Sequence, residues 1–294
     1  MSQKSQPSAS ALNVARCRAI AAHEARTAIR GGDTLAEVFL EAAARQSLCD
    51  PNTHALILKK LDAFSPGGYE YFSARTAYLD AVVEQALREH IPQLVLLGAG
   101  YDTRAYRFSP LLSKTRVFEL DEPVTQAHKR LKLEEARVEI PEQIRYVALD
   151  FTVDNLLDKL SAAGYQRDER TLFIWEGVSY YLPAPTVEET LRFIRLNSAA
   201  GSGLCFDYML PKDQLEGRHG AQQAREAMQA MYTAEPLHFE LDEAEVKGWL
   251  EARGFEMVEH VSAEQMQERY LTLADGQAAG QILDLFRLVQ ARVR

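Results

Sequence analysis

The feature that most constrains this chain is a recurrence of short apolar runs separated by helical patterns. Runs at 93–97 (QLVLL), 116–120 (RVFEL), 144–149 (IRYVAL), 171–175 (TLFIW) and 203–208 (GLCFDY) each read as a strand. Helical patterns lie between them at about 122–137, 153–163 and 186–200, and in the last Val187, Leu191 and Ile194 share a face. Strands that alternate with helices predict an α/β fold, a parallel sheet with helices on both faces. Right-handed crossovers place the carboxyl end of every such strand on one edge. Ligands of open α/β sheets bind at that edge, so the residues just after each run are the ones to read for function.

The first run stops abruptly at Gly98-Ala99-Gly100, with Asp102, Arg104 and Arg107 beyond. Glycines lack Cβ and tolerate positive φ, so a ligand can approach the backbone there. Gly98, Ala99, Gly100 and Asp102 are thus the expected floor of a cofactor site. A dinucleotide fingerprint needs a further glycine at position 103, and that position is Thr103, which argues against NAD. The phosphate-loop pattern is absent, which argues against nucleoside triphosphates. Asp102 beside a pyrophosphate would set like charges together in a partly dry site. An acid here suits a cofactor with cationic groups.

The next strand ends carry acids as well. The second ends in Glu119-Leu120-Asp121, about twenty residues past the glycines, where a carboxylate grips a ribose diol. Glu119 and Asp121 share a face of the strand, so one can support the other. The third ends in Leu149-Asp150-Phe151, an acid and a ring suited to the exocyclic amine and face of adenine. The fourth ends in Trp175-Glu176-Gly177, followed by Tyr180-Tyr181-Leu182-Pro183.

Composition bounds the rest. Charged residues make up 26% and the formal net charge is −9, which argues against a nucleic-acid-binding surface. Cys17, Cys49 and Cys205 are widely spaced with no CxxC pair, so they read as buried or neutral thiols in a reducing compartment, with no metal site. The first residues lack the apolar core of a signal peptide, and no run approaches the ~20 residues of a membrane span. A cytoplasmic protein with no membrane partner is expected. Residues 1–10 are Ser/Gln-rich and expected to be disordered. Helices are expected at 11–30, at 35–46 behind a cap at Asp33 or Thr34, at 55–64, and at 73–90, where Tyr78, Val82, Val83, Ala86 and Leu87 form one stripe. The expected organisation is a single domain over 1–294: a helical cap (1–70), a cofactor-binding core (71–210), a polar helical insertion or lid (211–240) and the end of the sheet (241–294). That last part holds a helix at 242–253, a strand at 254–261 and a final strand within ILDLFRLVQARVR.

The segments ARTAYLD, QLVLLGAGYDTRAYRF, VFELDEPVTQAHKRLKL, YVALDF and WEGVSYYLP together resemble the leucine carboxyl methyltransferase family, well over residues 70–210 and more loosely elsewhere. The resemblance implies a Rossmann-like class I methyltransferase sheet, mostly parallel with an antiparallel last strand, and S-adenosylmethionine as cofactor. It implies that Arg75 pairs with the methionine carboxylate and that the Gly98 backbone contacts the methionine. It places Asp121 at the ribose, Asp150 and Phe151 at the adenine, and Glu176 near the methionine end. Methyl transfer to a carboxylate needs no strong base, because that group is already ionised at neutral pH. It needs groups that position the acceptor, and Tyr180, Tyr181 and Arg104 are the candidates, with Arg107, Arg16 and Arg18 nearby. A phenol would need a base, for which His238 and His23 are candidates. The function expected is an O-methyltransferase of secondary metabolism, acting on a small-molecule carboxylate or a C-terminal carboxylate to give a methyl ester. Alternatives are a phenolic O-methyltransferase, a NAD-binding oxidoreductase and a non-catalytic cofactor-binding scaffold. Neither the identity of the acceptor nor the oligomeric state is written in the sequence.

Overall fold

The computed structural model describes residues 6–26, 28–48 and 50–294. Seven strands form one sheet: β1 (Gln93–Leu97), β2 (Arg116–Asp121), β3 (Ile144–Ala148), β4 (Thr171–Trp175), β5 (Gly203–Met209), β6 (Phe255–Val261) and β7 (Phe286–Val293). Their order is β3-β2-β1-β4-β5-β7-β6. The pairs β1–β2, β1–β4, β2–β3 and β4–β5 are parallel, whereas β7 runs antiparallel to both β5 and β6. All five predicted core strands are present, and the final strand is antiparallel as the resemblance implied. Every residue of β1 and β4 is buried, as their unbroken apolar runs require in strands covered on both faces. β3 lies at an edge, and only Ile144 and Val147 in it are buried.

Among the described residues, twelve α-helices surround the sheet. Before it come α1 (Ala9–Ala22), α2 (Ala42–Leu48), α3 (Pro51–Phe64) and α4 (Gly68–Arg88). Two short turns of helix follow β1, α5 (Arg104–Arg107) and α6 (Ser109–Leu112). The crossovers are α7 (Pro123–Glu135), α8 (Leu156–Ala162) and α9 (Ala184–Leu196), followed by α10 (Ala221–Met231), α11 (Val246–Glu251) and α12 (Ala263–Tyr270). The helix expected at 11–30 ends at His23, because Glu24 turns inward to meet Arg26 at 2.7 Å and the Gly31 amide returns to the Ala21 carbonyl. The single helix expected over 35–46 is two pieces, a 3-10 turn at Thr34–Phe39 and α2, with extended backbone at Leu40 between them. Asp33 does cap the first piece, accepting from the Ala36 amide. The expected disorder of residues 1–10 is corrected in part: Ser8 caps α1 and its amide donates to Thr125 Oγ1 at 3.0 Å. Residues 1–5 and Cys49 lie outside the described residues.

The sheet order reverses between β1 and β4. Crossovers leave in opposite directions there, so a crevice opens outside the carboxyl ends of these two strands. Helix α1 lies over this crevice, packed on α4. The cap and the glycine turn are in direct contact, since a Cβ on Gly100 would stand 3.2 Å from the Ala11 side chain.

Candidate active site

The turns after β1 and β4 meet face to face across the crevice. Gly98 has φ of +70°, and a Cβ there would lie 2.4 Å from Val178. Gly177 also has positive φ and sits beside the Arg75 guanidinium. Gly98 has no room for a side chain and Gly177 has a backbone angle that side chains disfavour, so backbone and ligand can come close together. The crevice deepens into a cavity of about 450 Å³. One part is walled by strand ends: Gly98 to Asp102, Asp121, Asp150 with Phe151, and Glu176. The other is walled by the cap, the starts of α4 and α10, Tyr180, Tyr181 and the 232–238 stretch. That stretch is tied down where the amides of His238 and Phe239 donate to the Tyr180 carbonyl.

Behind the wall runs a continuous chain of buried charges. Arg75 on α4 lies between Glu176 (2.9 Å) and Asp207 (2.6 Å). Glu176 also meets Arg104, which in turn holds Asp102 at 2.6 Å and Asp80 at 2.8 Å. Asp80 binds Arg107, Arg107 reaches Asp33, and Asp33 holds Arg18 of the cap. Four arginines stand against five carboxylates, so the chain carries one surplus negative charge. Burial alone would push the Asp102 carboxyl up, but Arg104 and Lys129 hold it down to about 2. Glu176 is likewise pushed up by burial and held below its ordinary value by Arg104 and Arg75. Both are therefore anionic at neutral pH. Asp121 differs: burial raises it to about 6, against the amides of Gly100 and Glu122, which donate to its two oxygens.

These placements sort the candidates read from the sequence. Arg75, Gly98, Ala99, Gly100, Asp102 and Asp121 line the cavity, as do Asp150, Phe151, Glu176, Tyr180 and Tyr181. Asp150 Oδ1 is engaged in its own turn by the amide and hydroxyl of Thr152. Tyr180 is 3% exposed, and burial followed by Asp207 holds its phenol far above its ordinary value, so it is a neutral hydroxyl. Arg104 was expected to position the acceptor. Its guanidinium instead points away from the cavity into Asp80, Asp102 and Glu176, because three buried carboxylates outcompete an open loop position. Arg107 is turned away in the same manner. Arg18 and His238 line the cavity, while His23 is taken up by Glu37 at 2.7 Å. Glu119 does not support Asp121 and forms a buried pair with Lys129 at 2.7 Å. Asp207 was missed, although it accepts from Arg75, from Tyr71 and from the Gly177 amide.

A model of the leucine carboxyl methyltransferase family matches residues 11–195. The chain belongs to that family. YktD of Bacillus subtilis (strain 168), provisionally named an S-adenosyl-L-methionine-dependent methyltransferase, is 31% identical over 68% of this chain and 65% of its own length. The match therefore leaves about a third of that relative uncovered. A similarly named protein of Streptomyces avermitilis is 32% identical over 89% of this chain and 88% of its own. Among solved structures, a protein from Thermobifida fusca YX, provisionally titled a methyltransferase, aligns with TM-score 0.62 at 16% identity, over 98% of this chain and 96% of its own. A duf574 family protein from Streptomyces avermitilis aligns with TM-score 0.60 at 16% identity, over 95% and 97%. These two likenesses show the fold, that of class I methyltransferases. Both relatives are named for dependence on S-adenosylmethionine.

The residues present fit that cofactor. Glu176 Oε1 and Arg75 Nε face each other at 2.9 Å, yet neither makes an aligned hydrogen bond, so both keep unused bonding capacity beside the cavity. The proximity is a charge contact without hydrogen-bond geometry. The surplus negative charge matches a cofactor whose sulfonium, ammonium and carboxylate sum to +1. The glycine cradle and the acids at successive strand ends complete the fit.

Proposed function

We propose that this family member transfers a methyl group to an oxygen of a small molecule held between the cap and the 232–238 stretch. The supporting observation is the Arg75–Glu176 pair, which lies in the wall where the strand-end part of the cavity gives way to the cap-lined part. Arg75 would hold the cofactor carboxylate and Glu176 its ammonium. Asp121 would accept from the ribose, and Asp150 with Phe151 would meet the adenine. When bound, the sulfonium supplies an electrophilic methyl group. The chain's work is then to align an oxygen with the breaking C–S bond and to keep water out. Tyr180 and Tyr181 would donate hydrogen bonds to the incoming oxygen. Arg104 acts through Glu176 and Asp102 as a positioning residue, and 211–240 would serve as a lid. A carboxylate, as the family resemblance implies, and a phenolic hydroxyl both answer this description.

Titration calorimetry with S-adenosylmethionine, S-adenosylhomocysteine and NAD tests the cofactor part. Heat from the two sulfur compounds and none from NAD is the expected result. Binding of NAD alone would remove the reading. A screen with methyl-labelled cofactor then finds the acceptor, and the base-lability of the product separates ester from ether.

A further inference from the structure

The acceptor part of the cavity has a chemistry of its own. Its walls include Leu61, Phe64, Phe72, Met228, Leu283 and Phe286. Among the described lining residues the guanidinium groups are those of Arg18 and Arg75, and no lysine lines it. Arg18 is spent on Asp33 at 2.8 Å and on the Tyr101 carbonyl at 2.7 Å. Arg75 is shared by two carboxylates, and what bonding capacity it has left goes to the cofactor carboxylate. The charged side chain on the cap-facing wall is an acid, Glu235, whose Oε2 accepts from the Ser10 amide at 3.2 Å. His238 is exposed on the same wall. A carboxylate entering here would leave water, find each lining guanidinium already committed, and meet a like charge at Glu235. An uncharged molecule would lose nothing on that account and would bury apolar surface against the aromatic wall.

We infer that this compartment selects an uncharged, apolar acceptor that presents a hydroxyl, and that it discriminates against carboxylates. The inference rests on the methyl-transfer reading and specifies its acceptor. Transfer to such a group forms a C–O bond as the C–S bond breaks, and the hydroxyl proton passes to the exposed His238 imidazole and on to solvent. The test uses the intact protein saturated with S-adenosylhomocysteine and two probes of matched skeleton, 4-propylphenol and 4-propylbenzoate, titrated at pH 7.5. The phenol is expected to bind at least tenfold more tightly. Glu235→Gln keeps an acceptor for the Ser10 amide and removes the like charge, so the gap is expected to narrow at least threefold. Equal or tighter binding of the benzoate overturns the inference, as does failure of the phenol to bind, or a gap that Glu235→Gln leaves unchanged. Failure of S-adenosylhomocysteine to bind at the outset strikes instead at the methyl-transfer reading.

Discussion

Asp121 is a carboxylate whose ionisation matters at working pH. Burial lifts it to about 6, so it is anionic above that value and increasingly protonated below it. The anion is the better acceptor for ribose hydroxyls. The affinity for S-adenosylhomocysteine is therefore expected to be flat above pH 7 and to fall roughly tenfold per pH unit below 6. Calorimetry between pH 5 and 8 checks this, and a flat profile would detach Asp121 from the ribose. Asp207 makes a second prediction. Its carboxylate is fully buried and binds Arg75, so Asp207→Asn leaves a buried guanidinium short of a partner and cancels the surplus negative charge. A stability loss of about 3 kcal/mol is expected, with cofactor affinity at least tenfold lower. Tyr71→Phe removes a neutral hydrogen bond to the same carboxylate and is expected to cost only about 1 kcal/mol with affinity retained. Equal affinity losses in the two variants would make Asp207 merely structural. Asp121 and Glu176 were legible in the sequence because they follow apolar runs, where acids have no packing reason to be. Asp207 was not, because it sits inside the GLCFDY run, and Asp80 was not, because a helical aspartate reads as a surface charge. Their roles depend on arginines that come from distant parts of the chain.

The elements were easier to read than their ends. Strands β1, β2, β4 and β5 are buried runs of the correct length, and the stripes of the helices at 73–90 and 186–200 were plain. The cap resisted because its first break comes from contacts of Arg26 with Glu24 and with the distant Ala279 carbonyl, and not from Pro or Gly in the helical pattern. Helix α12 was missed despite a capping box, in which Ser262 and Gln265 satisfy each other's amides, because its short polar sequence has no clear stripe. The glycine turn was read correctly as a place of close approach, and it can be tested as an element. Gly98→Ala meets both an unfavourable φ and Val178 at 2.4 Å, whereas Gly164→Ala has φ of +92° with nothing within 4 Å. The second should cost only the backbone preference, about 1 kcal/mol, and leave cofactor binding intact. The first should cost at least twice as much and abolish cofactor binding. Thermal unfolding with calorimetry decides, and equal costs would show that the turn after β4 yields freely to the one after β1.

At the scale of the molecule, the buried ion chain does what no single element can, because it fastens the cap to the sheet edge. It passes from Arg18 on α1 through Asp33, Arg107, Asp80 and Arg104 to Glu176 after β4 and, by way of Arg75, to Asp207 on β5. Buried pairs of this kind add little net stability over apolar packing, but removing one partner is costly because the other charge stays behind. The link nearest the cap is thus the place to open it selectively. In Arg18→Met the apolar stem is kept, the hydrogen bond to the Tyr101 carbonyl is lost, and Asp33 retains Arg107 at 3.5 Å. Amides of residues 11–20 are expected to exchange at least tenfold faster, about 1.4 kcal/mol of local opening, while those of β1 and β4 stay unchanged. Bound S-adenosylhomocysteine should slow the same amides in the unaltered protein, since α1 lies over the Gly100 turn. Uniform acceleration across cap and sheet would mean that the two open as one unit, and that the ion chain does not divide a mobile cover from a fixed floor.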